Sequence, residues 1–243
     1  MNLRQKLVDY GKRQSFRPDF FSLFINHLYF QRKFLFQQIK SLAPNLQGGA
    51  LLDFGCGRKP YRELFRVDQY IGVDLKTSGH DHRWSEVDAY YDGRTIPFAD
   101  GHFDHVFCAE VLEHIFEPEA ILKEIGRVLK PGARGVFTVP FCWNEHEVPW
   151  DYGRYTSFGL RHLLEKCGFK VLRMEKTGHF ISMLFQLAAI YVHNLFRSRH
   201  EVLNALGCLL FISPINLAGL IFCAILPRNY TLYHNLVVLV EKS

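Results

Sequence analysis

The sequence lacks several features that mark other classes of protein. None of its six cysteines forms a CxxC pair, which excludes a zinc knuckle or a redox dithiol motif of that kind. It has no early apolar segment typical of a signal peptide, so we expect a cytoplasmic protein with reduced thiols. The net charge of +5 at pH 7 is too small to indicate a nucleic-acid partner.

The composition is that of a globular protein with a core, since 48% of the residues are hydrophobic and 22% are charged. Hydropathy and charge divide the chain into four segments. We predict basic and aromatic N-terminal helices over residues 1–47, a core domain over 48–178, a hydrophobic helical insertion over 179–227, and a final sheet strand over 228–243.

Strand and helix signals alternate in the core segment. Four short apolar runs, GALLDFG, YIGVDL, HVFCAEV and RGVFTVPF, are typical of strands buried on both faces of a parallel sheet. One helix is predicted from Pro118 to the stop at Pro131-Gly132, and another from its cap Thr156 to Gly168, followed by the strand FKVLRMEK. This order predicts an α/β fold with a doubly wound, Rossmann-like sheet.

The stretch LLDFGCGRKPY ends the first strand with an acid and two glycines separated by one residue. Glycines at the carboxyl end of a strand let the backbone approach a nucleotide. A dinucleotide fingerprint needs a third glycine three residues after Gly57, where Pro60 stands, so an NAD site is weakly supported. Asp74 ends the next strand, 19 residues past Gly55, and can accept both ribose hydroxyls of an adenosine ligand.

Four segments in this order resemble the class I S-adenosylmethionine-dependent methyltransferases of the methyltransferase type 11-like family: LLDFGCG, IGVDL, DGRTIPFADGHFDHVFCAEVLEHI and RVLKPGARGVFTVPF. The resemblance covers residues 49 to about 175. It implies a mostly parallel sheet with an antiparallel last strand and S-adenosyl-L-methionine as the cofactor. The implied cofactor contacts are Asp53, Gly55, Cys56 and Gly57 at the methionine part, Asp74 and Leu75 at the ribose, Asp92 (with Asp88 as the alternative) at the adenine, and Glu110 on the methionine side.

Methyl transfer to a hydroxyl needs an aligned acceptor and a base that takes its proton. One candidate stretch is EVLEH, where Glu110, Glu113 and His114 would share a helix face. This triplet resembles the metal-binding triplet of ubiquinone-pathway O-methyltransferases, although we expect no metal. We interpret Glu113 and His114 as candidate catalytic residues, the alternative being that they cap the turn and bond to the core.

A second candidate stretch is the loop WNEHEVPWDYGRYT, which follows the fourth core strand. His146 is the predicted base because its reference pKa lies near working pH. The alternative is a structural lid in which Arg154 pairs with Asp151 and Tyr155 packs inward. The loop resembles a subgroup of these methyltransferases whose relatives often act in surface-polysaccharide or lipid-linked saccharide pathways. The predicted acceptor-binding residues are Glu145, Trp150, Asp151, Arg154 and Tyr155.

The insertion contains two long apolar runs. FISMLFQLAAIYVHNLF has 17 residues and LGCLLFISPINLAGLIFCAIL has 21, and neither contains Lys, Arg, Asp or Glu. A hairpin crossing a bilayer would carry the charged link with Arg197, Arg199 and Glu201 across it, which is unfavourable. We expect peripheral membrane contact through residues 180–226, with a homodimer interface or a cover over the site as alternatives.

The sequence therefore predicts an S-adenosylmethionine-dependent enzyme. The expected reaction is O-methylation of a polar or lipid-linked, saccharide-type acceptor near the inner face of the membrane. One alternative is methylation of a quinone precursor or another aromatic small molecule. An alternative of another class is a non-catalytic S-adenosylmethionine-binding interaction subunit.

Overall fold

The computed structural model describes residues 10–11, 13–76 and 86–243. In these ranges seven strands form a single sheet in the order β3-β2-β1-β4-β5-β7-β6. The strands are β1 (Ala50–Phe54), β2 (Gln69–Leu75), β3 (Ala89–Tyr91), β4 (Phe103–Ala109), β5 (Leu129–Pro140), β6 (Phe169–Lys176) and β7 (Asn235–Lys242).

Most neighbouring strands run parallel. β1 pairs in parallel with β2 and β4, and the pairs β2–β3 and β4–β5 are also parallel. β7 runs the other way, because Ser243 N donates to the Gly168 carbonyl at one end while Thr177 N donates to the Asn235 carbonyl at the other. The predicted Rossmann-like sheet with an antiparallel last strand is confirmed. Sequence patterning missed β3, which is too short for an alternating pattern.

Seven α-helices accompany the sheet in the described residues: α1 (Ser22–Ile25), α2 (Tyr29–Leu42), α3 (Pro118–Val128), α4 (Ser157–Lys166), α5 (Phe180–Phe196), α6 (Glu201–Gly207) and α7 (Ser213–Ile225). A π-helical segment, Cys208–Ile212, joins the last two. The cap predicted for α4 is present, since Thr156 Oγ1 accepts from Gly159 N at 3.1 Å. The stop predicted for α3 at Pro131-Gly132 is wrong, because Leu129 already pairs with Phe103 of β4.

The chain forms two compact units, the first of which comprises residues 39–175 and 236–243. Its core is built on the central strands: Leu51, Leu52 and Phe54 of β1 are fully buried. Such burial of consecutive residues is characteristic of a strand covered on both faces. The parallel strands bring their carboxyl ends to one edge, where the glycine turn, Asp74 and Glu110 all follow.

The second unit comprises residues 1–38 and 176–235, of which 10–11, 13–38 and 176–235 are described. It joins the N-terminal segment to the insertion through buried polar contacts. Asn216 Nδ2 donates to the carbonyls of Leu23 and Asn26 at 2.8 and 3.2 Å. Gln186 Nε2 donates to the His27 carbonyl at 2.6 Å. These two parts of the chain, far apart in sequence, therefore form one helical unit.

Candidate active site

The turn after β1 depends on backbone conformations that favour glycine. Gly55 and Gly57 have φ values of 72° and 48°. The N–H groups of Gly55 and Cys56 donate to the Val73 carbonyl at 2.8 and 3.2 Å, which ties the turn to β2. A Cβ at position 55 would overlap the side chain of Val111, whereas a Cβ at position 57 would meet no atom of the described residues within 4 Å. Among the described residues, position 57 thus borders open space at the carboxyl edge of the sheet.

Asp74 lies directly against this turn. Its Oδ2 accepts from Gly57 N at 2.9 Å and its Oδ1 accepts from Leu75 N at 2.7 Å. The residue is only 3% exposed. The predicted ribose acid therefore lies beside the glycine turn, at the carboxyl edge of the sheet.

Asp53 and Cys56 support the turn from inside the protein. Asp53 accepts a hydrogen bond from the Tyr70 hydroxyl at 2.7 Å, and burial raises its pKa to about 7. The Cys56 thiol is free and buried, and it faces Gly72 of β2. The side chains of these two predicted cofactor residues are buried. No sequence motif indicated the partner Tyr70.

The two acids considered for the adenine have different environments. Asp88 is exposed, and its Oδ2 accepts from Lys59 Nζ at 2.5 Å and from Gly72 N at 2.6 Å; these bonds outweigh desolvation and lower the pKa of its carboxyl. Asp92 is also exposed, and its Oδ1 accepts from the backbone N–H groups two and three residues later. The two carboxylates therefore differ in that the one of Asp88 is paired with Lys59.

The stretch EVLEH is not an α-helix. Glu110 has a φ of 57°, and Leu112–His114 form a single 3₁₀ turn. The predicted shared helix face of Glu110, Glu113 and His114 is therefore wrong. Glu110 is held by β5 instead: its N–H donates to the Thr138 carbonyl at 3.0 Å, and its Oε1 accepts from Thr138 Oγ1 at 2.7 Å.

The structure brings Glu113 and His114 together with His146. One donor atom of each lies within 4.8 Å of the others. The Glu113 side chain is fully buried, 3.8 Å from His114 Nε2, and neither of its oxygens accepts a hydrogen bond within the described part of the chain. Burial, reinforced by the charge of Glu110, raises the pKa of Glu113 far above its ordinary value. The carboxyl group lies beside two imidazoles.

The loop 141–155 is fastened to this turn by backbone bonds. The N–H groups of Tyr152 and Gly153 donate to the Glu113 carbonyl at 2.8 and 3.1 Å. His114 Nδ1 donates to the Trp150 carbonyl at 2.7 Å, because a carbonyl can only accept. Two segments about forty residues apart in sequence thus form one surface, which explains how His146 reaches Glu113.

His146 is oriented by a buried carboxylate. Its Nδ1 lies 3.2 Å from Asp151 Oδ2, and its backbone N donates to the same oxygen at 3.0 Å. Because an ionised carboxylate only accepts, Nδ1 carries the proton and Nε2 keeps a free lone pair. Arg154 donates hydrogen bonds to both carboxylate oxygens of Asp151, at 2.5 and 2.7 Å. These bonds hold the pKa of the Asp151 carboxyl well below its usual range.

The five predicted acceptor residues divide into two groups. Asp151 and Arg154 pair with each other, and the Tyr155 hydroxyl donates to the Leu112 carbonyl at 3.3 Å. These three side chains form the internal scaffold that the structural alternative anticipated. Glu145 and Trp150 are exposed and remain available to a ligand.

Substitutions of Gly55 and Gly57 should distinguish an effect on folding stability from an effect on ligand binding. We expect Gly55→Ala to destabilise the domain, because a left-handed residue costs about 1–2 kcal/mol and overpacking against Val111 adds about 1–3 kcal/mol. Gly57→Ala should lower stability only by the about 1–2 kcal/mol of the left-handed conformation, and it should weaken ligand binding at the turn. Urea unfolding and calorimetric titration measure the two effects; equal stability of both variants would contradict this assignment.

Part of the chain is similar to known methyltransferases. A family model described as "Methyltransferase domain" matches residues 52–137. The ubiquinone biosynthesis O-methyltransferase of Idiomarina loihiensis is 34% identical over 113 residues, which cover 41% of this chain and 46% of that protein. The malonyl-[acyl-carrier protein] O-methyltransferase of Legionella pneumophila is 26% identical over 162 residues, which cover 59% and 54%. The chain thus spans about half the length of these curated relatives.

A solved structure extends the similarity to the fold. Phosphoethanolamine N-methyltransferase 2 of Haemonchus contortus, in complex with S-adenosyl-L-methionine, superposes with a TM-score of 0.52 at 18% identity. The superposition covers 92% of this chain and 56% of that one. The sheet order defines a Rossmann-like domain. Residues 52–137 are similar to a methyltransferase domain, and the fold is shared with a methyltransferase whose solved complex contains S-adenosyl-L-methionine.

The observed edge suits this cofactor. Gly57 leaves space among the described residues that a side chain would occupy, Asp74 lies beside it, and the exposed carboxylate of Asp92 follows β3. These residues would hold the nucleoside. His146 and Glu113, on the loop and turn that follow β5 and β4, are further along the same carboxyl edge.

Proposed function

We propose that the chain catalyses methyl transfer from S-adenosylmethionine to an oxygen of a small acceptor, with His146 as the general base. The observation that carries this proposal is the Arg154–Asp151–His146 arrangement, which leaves His146 Nε2 as a free, oriented proton acceptor. The named O-methyltransferase relatives support an oxygen acceptor. The proposal is tested by following S-adenosylhomocysteine formation by the purified protein across a panel of hydroxylated acceptors.

The roles of the side chains follow from their surroundings. S-adenosylmethionine, when bound, supplies an electrophilic sulfonium methyl group. His146 Nε2 takes the proton of the acceptor hydroxyl, and Asp151 stabilises the imidazolium that results. Arg154 keeps Asp151 ionised and fixed. The buried Glu113, whose pKa is raised by burial, lies beside the base.

For the acceptor we propose a polar ring of the saccharide type, free or lipid-linked. Exposed aromatic rings border the loop: Trp150 is exposed, and Phe116 packs edge-on against Tyr152 with centroids 5.3 Å apart. Glu145 adds an exposed carboxylate. Flat aromatic faces combined with hydrogen-bonding acids suit the apolar faces and hydroxyl rims of sugars.

The acid limb of the pH profile should report His146. Burial, then the charges of His114 and Arg154, lower its pKa from 6.5, while Asp151 and Glu147 oppose this shift. The base is active when neutral, so kcat/KM should fall as the pH decreases through a midpoint below 6.5 and stay level at neutral pH. Initial rates measured from pH 5 to 8 check this; a midpoint above 6.5 would contradict it.

A second candidate is methylation of a quinone precursor or another aromatic molecule with the help of a divalent metal. The cluster Glu113, His114 and His146 favours it, because the Nδ1 atoms of both imidazoles are tied to oxygen acceptors and both Nε2 atoms are available. His146 replaces Glu110 in the triplet expected from the sequence. Dialysis against EDTA distinguishes the candidates: unchanged turnover favours the base mechanism, and a loss restored by Mg²⁺ or Zn²⁺ favours the metal.

The same assay also tests the alternative of a non-catalytic subunit. A folded protein that binds S-adenosylmethionine but forms no S-adenosylhomocysteine with any acceptor would support it. The intact base arrangement argues for turnover, because an interaction subunit has no need of an oriented imidazole.

A further inference from the structure

The helical unit exposes an apolar stripe on α5. Phe180, Leu184, Leu187, Tyr191 and Leu195 recur at spacings of three and four residues, so they lie along one face of the helix. Tyr191 and Leu195 are 68% and 70% exposed. The residues on the opposite face are buried, among them Met183, Gln186 and Ala189. The stripe is therefore not needed for packing within this unit.

The helix that follows carries a second stripe. Val202–Ile225 forms 24 continuous helical residues that are apolar and long enough to cross a membrane, and only 28% of its most hydrophobic window is buried. Leu206, Leu210, Leu217, Ile221 and Ile225 are all exposed at helical spacing. On the other face, Asn216 and Gly219 are fully packed against the N-terminal segment, where a Cβ on Gly219 would overlap Phe30.

The connections of these helices exclude a single crossing of a bilayer. The segment leaves the sheet at the end of β6 and returns at the start of β7, and Thr177 and Asn235 are hydrogen-bonded to each other at 2.9 Å. Both ends must therefore stay on the same side. A double crossing would need α5, which has 17 residues, to span about 30 Å of hydrocarbon with about 26 Å of helix. It would also carry the exposed Arg197 and Arg199 to the far side.

The positive charge of the helical unit favours an anionic lipid surface as its partner. Residues 10–38 and 176–235 contain nine lysines and arginines against two acidic residues, an excess larger than the +5 of the whole chain. Within the described part of this unit, Asp19 is engaged by Tyr10 and Gln14. A second copy of the chain would bring the same positive charge to the interface, whereas an anionic lipid surface complements it.

We propose that the exposed stripes of α5 and of the helix Val202–Ile225 lie in the headgroup–acyl boundary of an anionic lipid bilayer, as an interfacial hairpin that does not cross it. The exposed Phe20 and Phe21, at the start of α1, add aromatic side chains of the kind that bury at such interfaces. Arg197 and Arg199, in the link between the helices, stay in the headgroup layer on the side of entry.

The test is co-sedimentation of the full chain with vesicles of phosphatidylcholine, with and without phosphatidylglycerol. We expect binding to the anionic vesicles that is about tenfold or more tighter than to the neutral ones. Leu210→Glu combined with Ile221→Glu should lower binding about 100-fold or more. The matched control is Phe158→Glu combined with Leu172→Glu, which places the same charges on exposed apolar positions of the other unit and should leave binding unchanged.

Three results would overturn the proposal. The first is absence of vesicle binding by the folded wild-type chain. The second is equal binding by Leu210→Glu/Ile221→Glu and by the control variant. The third is a dimer, seen by light scattering, that the same stripe variant dissociates while no vesicle binding occurs. Circular dichroism of each variant establishes that the helices are intact. Because no cofactor or acceptor is added, failure of this test is distinct from failure of the proposed methyl transfer.

A labelling experiment tests the hairpin's position. Ser198→Cys places a thiol in the link, and its peptide is followed by mass spectrometry after reaction with a membrane-impermeant maleimide. For protein added to the outside of preformed vesicles, we expect full labelling before detergent is added. Protection that disappears with detergent would mean that the hairpin crosses the bilayer and would overturn the interfacial geometry.

Discussion

Asp74→Ala should abolish most of the affinity for S-adenosylmethionine. The carboxylate can accept both ribose hydroxyls, and each hydrogen bond to a charged group contributes about 1.5–3 kcal/mol, so we expect a loss of about 100-fold or more. Asp74 also accepts from Gly57 N and Leu75 N, so the variant loosens the turn itself. Calorimetric titration with S-adenosylmethionine measures the loss directly.

The control for this variant is Asp68→Ala. Asp68 also accepts a backbone hydrogen bond, from Gly49 N at 2.7 Å, but it lies before β2 at the opposite edge of the sheet. Its removal should leave cofactor affinity unchanged. Asp74→Asn keeps one acceptor oxygen and should fall between the two. Wild-type affinity in Asp74→Ala, in a protein whose urea midpoint is unaltered, would remove Asp74 from the ribose site.

His146→Ala should have the largest effect on turnover. A positioned general base contributes about 10²–10⁴-fold, so kcat should fall by that factor once a methyl acceptor is found. Cofactor affinity should stay within about twofold of the wild-type value, because the predicted ribose and adenine acids lie at the ends of β2 and β3. Added imidazole should restore part of the activity, since it can enter the space that the side chain leaves.

Two further variants serve as comparisons for His146→Ala. His162→Ala removes an exposed imidazole from α4 and should be silent. Asp151→Asn leaves His146 in place but removes the carboxylate that selects its tautomer, so turnover should fall while imidazole fails to rescue it. Full activity of His146→Ala would transfer the role of base to His114, whose Nδ1 is tied to the Trp150 carbonyl in the same way.

The sequence by itself determined the class of fold and the cofactor edge. Consecutive apolar residues in β1, β2, β4 and β5 identify buried parallel strands, because a strand covered on both faces cannot alternate. The edge was predictable for the same reason: in a parallel sheet, residues that follow successive strands meet at the carboxyl ends. Asp74 and the Gly55–Gly57 turn are therefore local consequences of pattern and position.

Only the tertiary structure decided the chemistry of the side chains at that edge. Glu110, Glu113 and His114 look like one helical face in sequence, but Glu110 ends a strand and is held by Thr138 of β5. Asp53 and Asp88 are acids of the expected type, yet Tyr70 and Lys59 engage their carboxylates. Such partners are separated by tens of residues, and no periodicity connects them.

The surroundings of His146 and the apolar stripes also combine features evident in the sequence with features that only tertiary packing decides. The sequence of the loop identifies His146, Asp151 and Arg154 one by one. Their mutual contacts, and the approach of His146 to Glu113, depend on backbone hydrogen bonds between two segments. Likewise, the apolar runs of the insertion are evident in the sequence. Which of their residues are buried against the N-terminal segment, and which are left exposed, is decided by packing, because burial is a property of the neighbours and not of the residue alone.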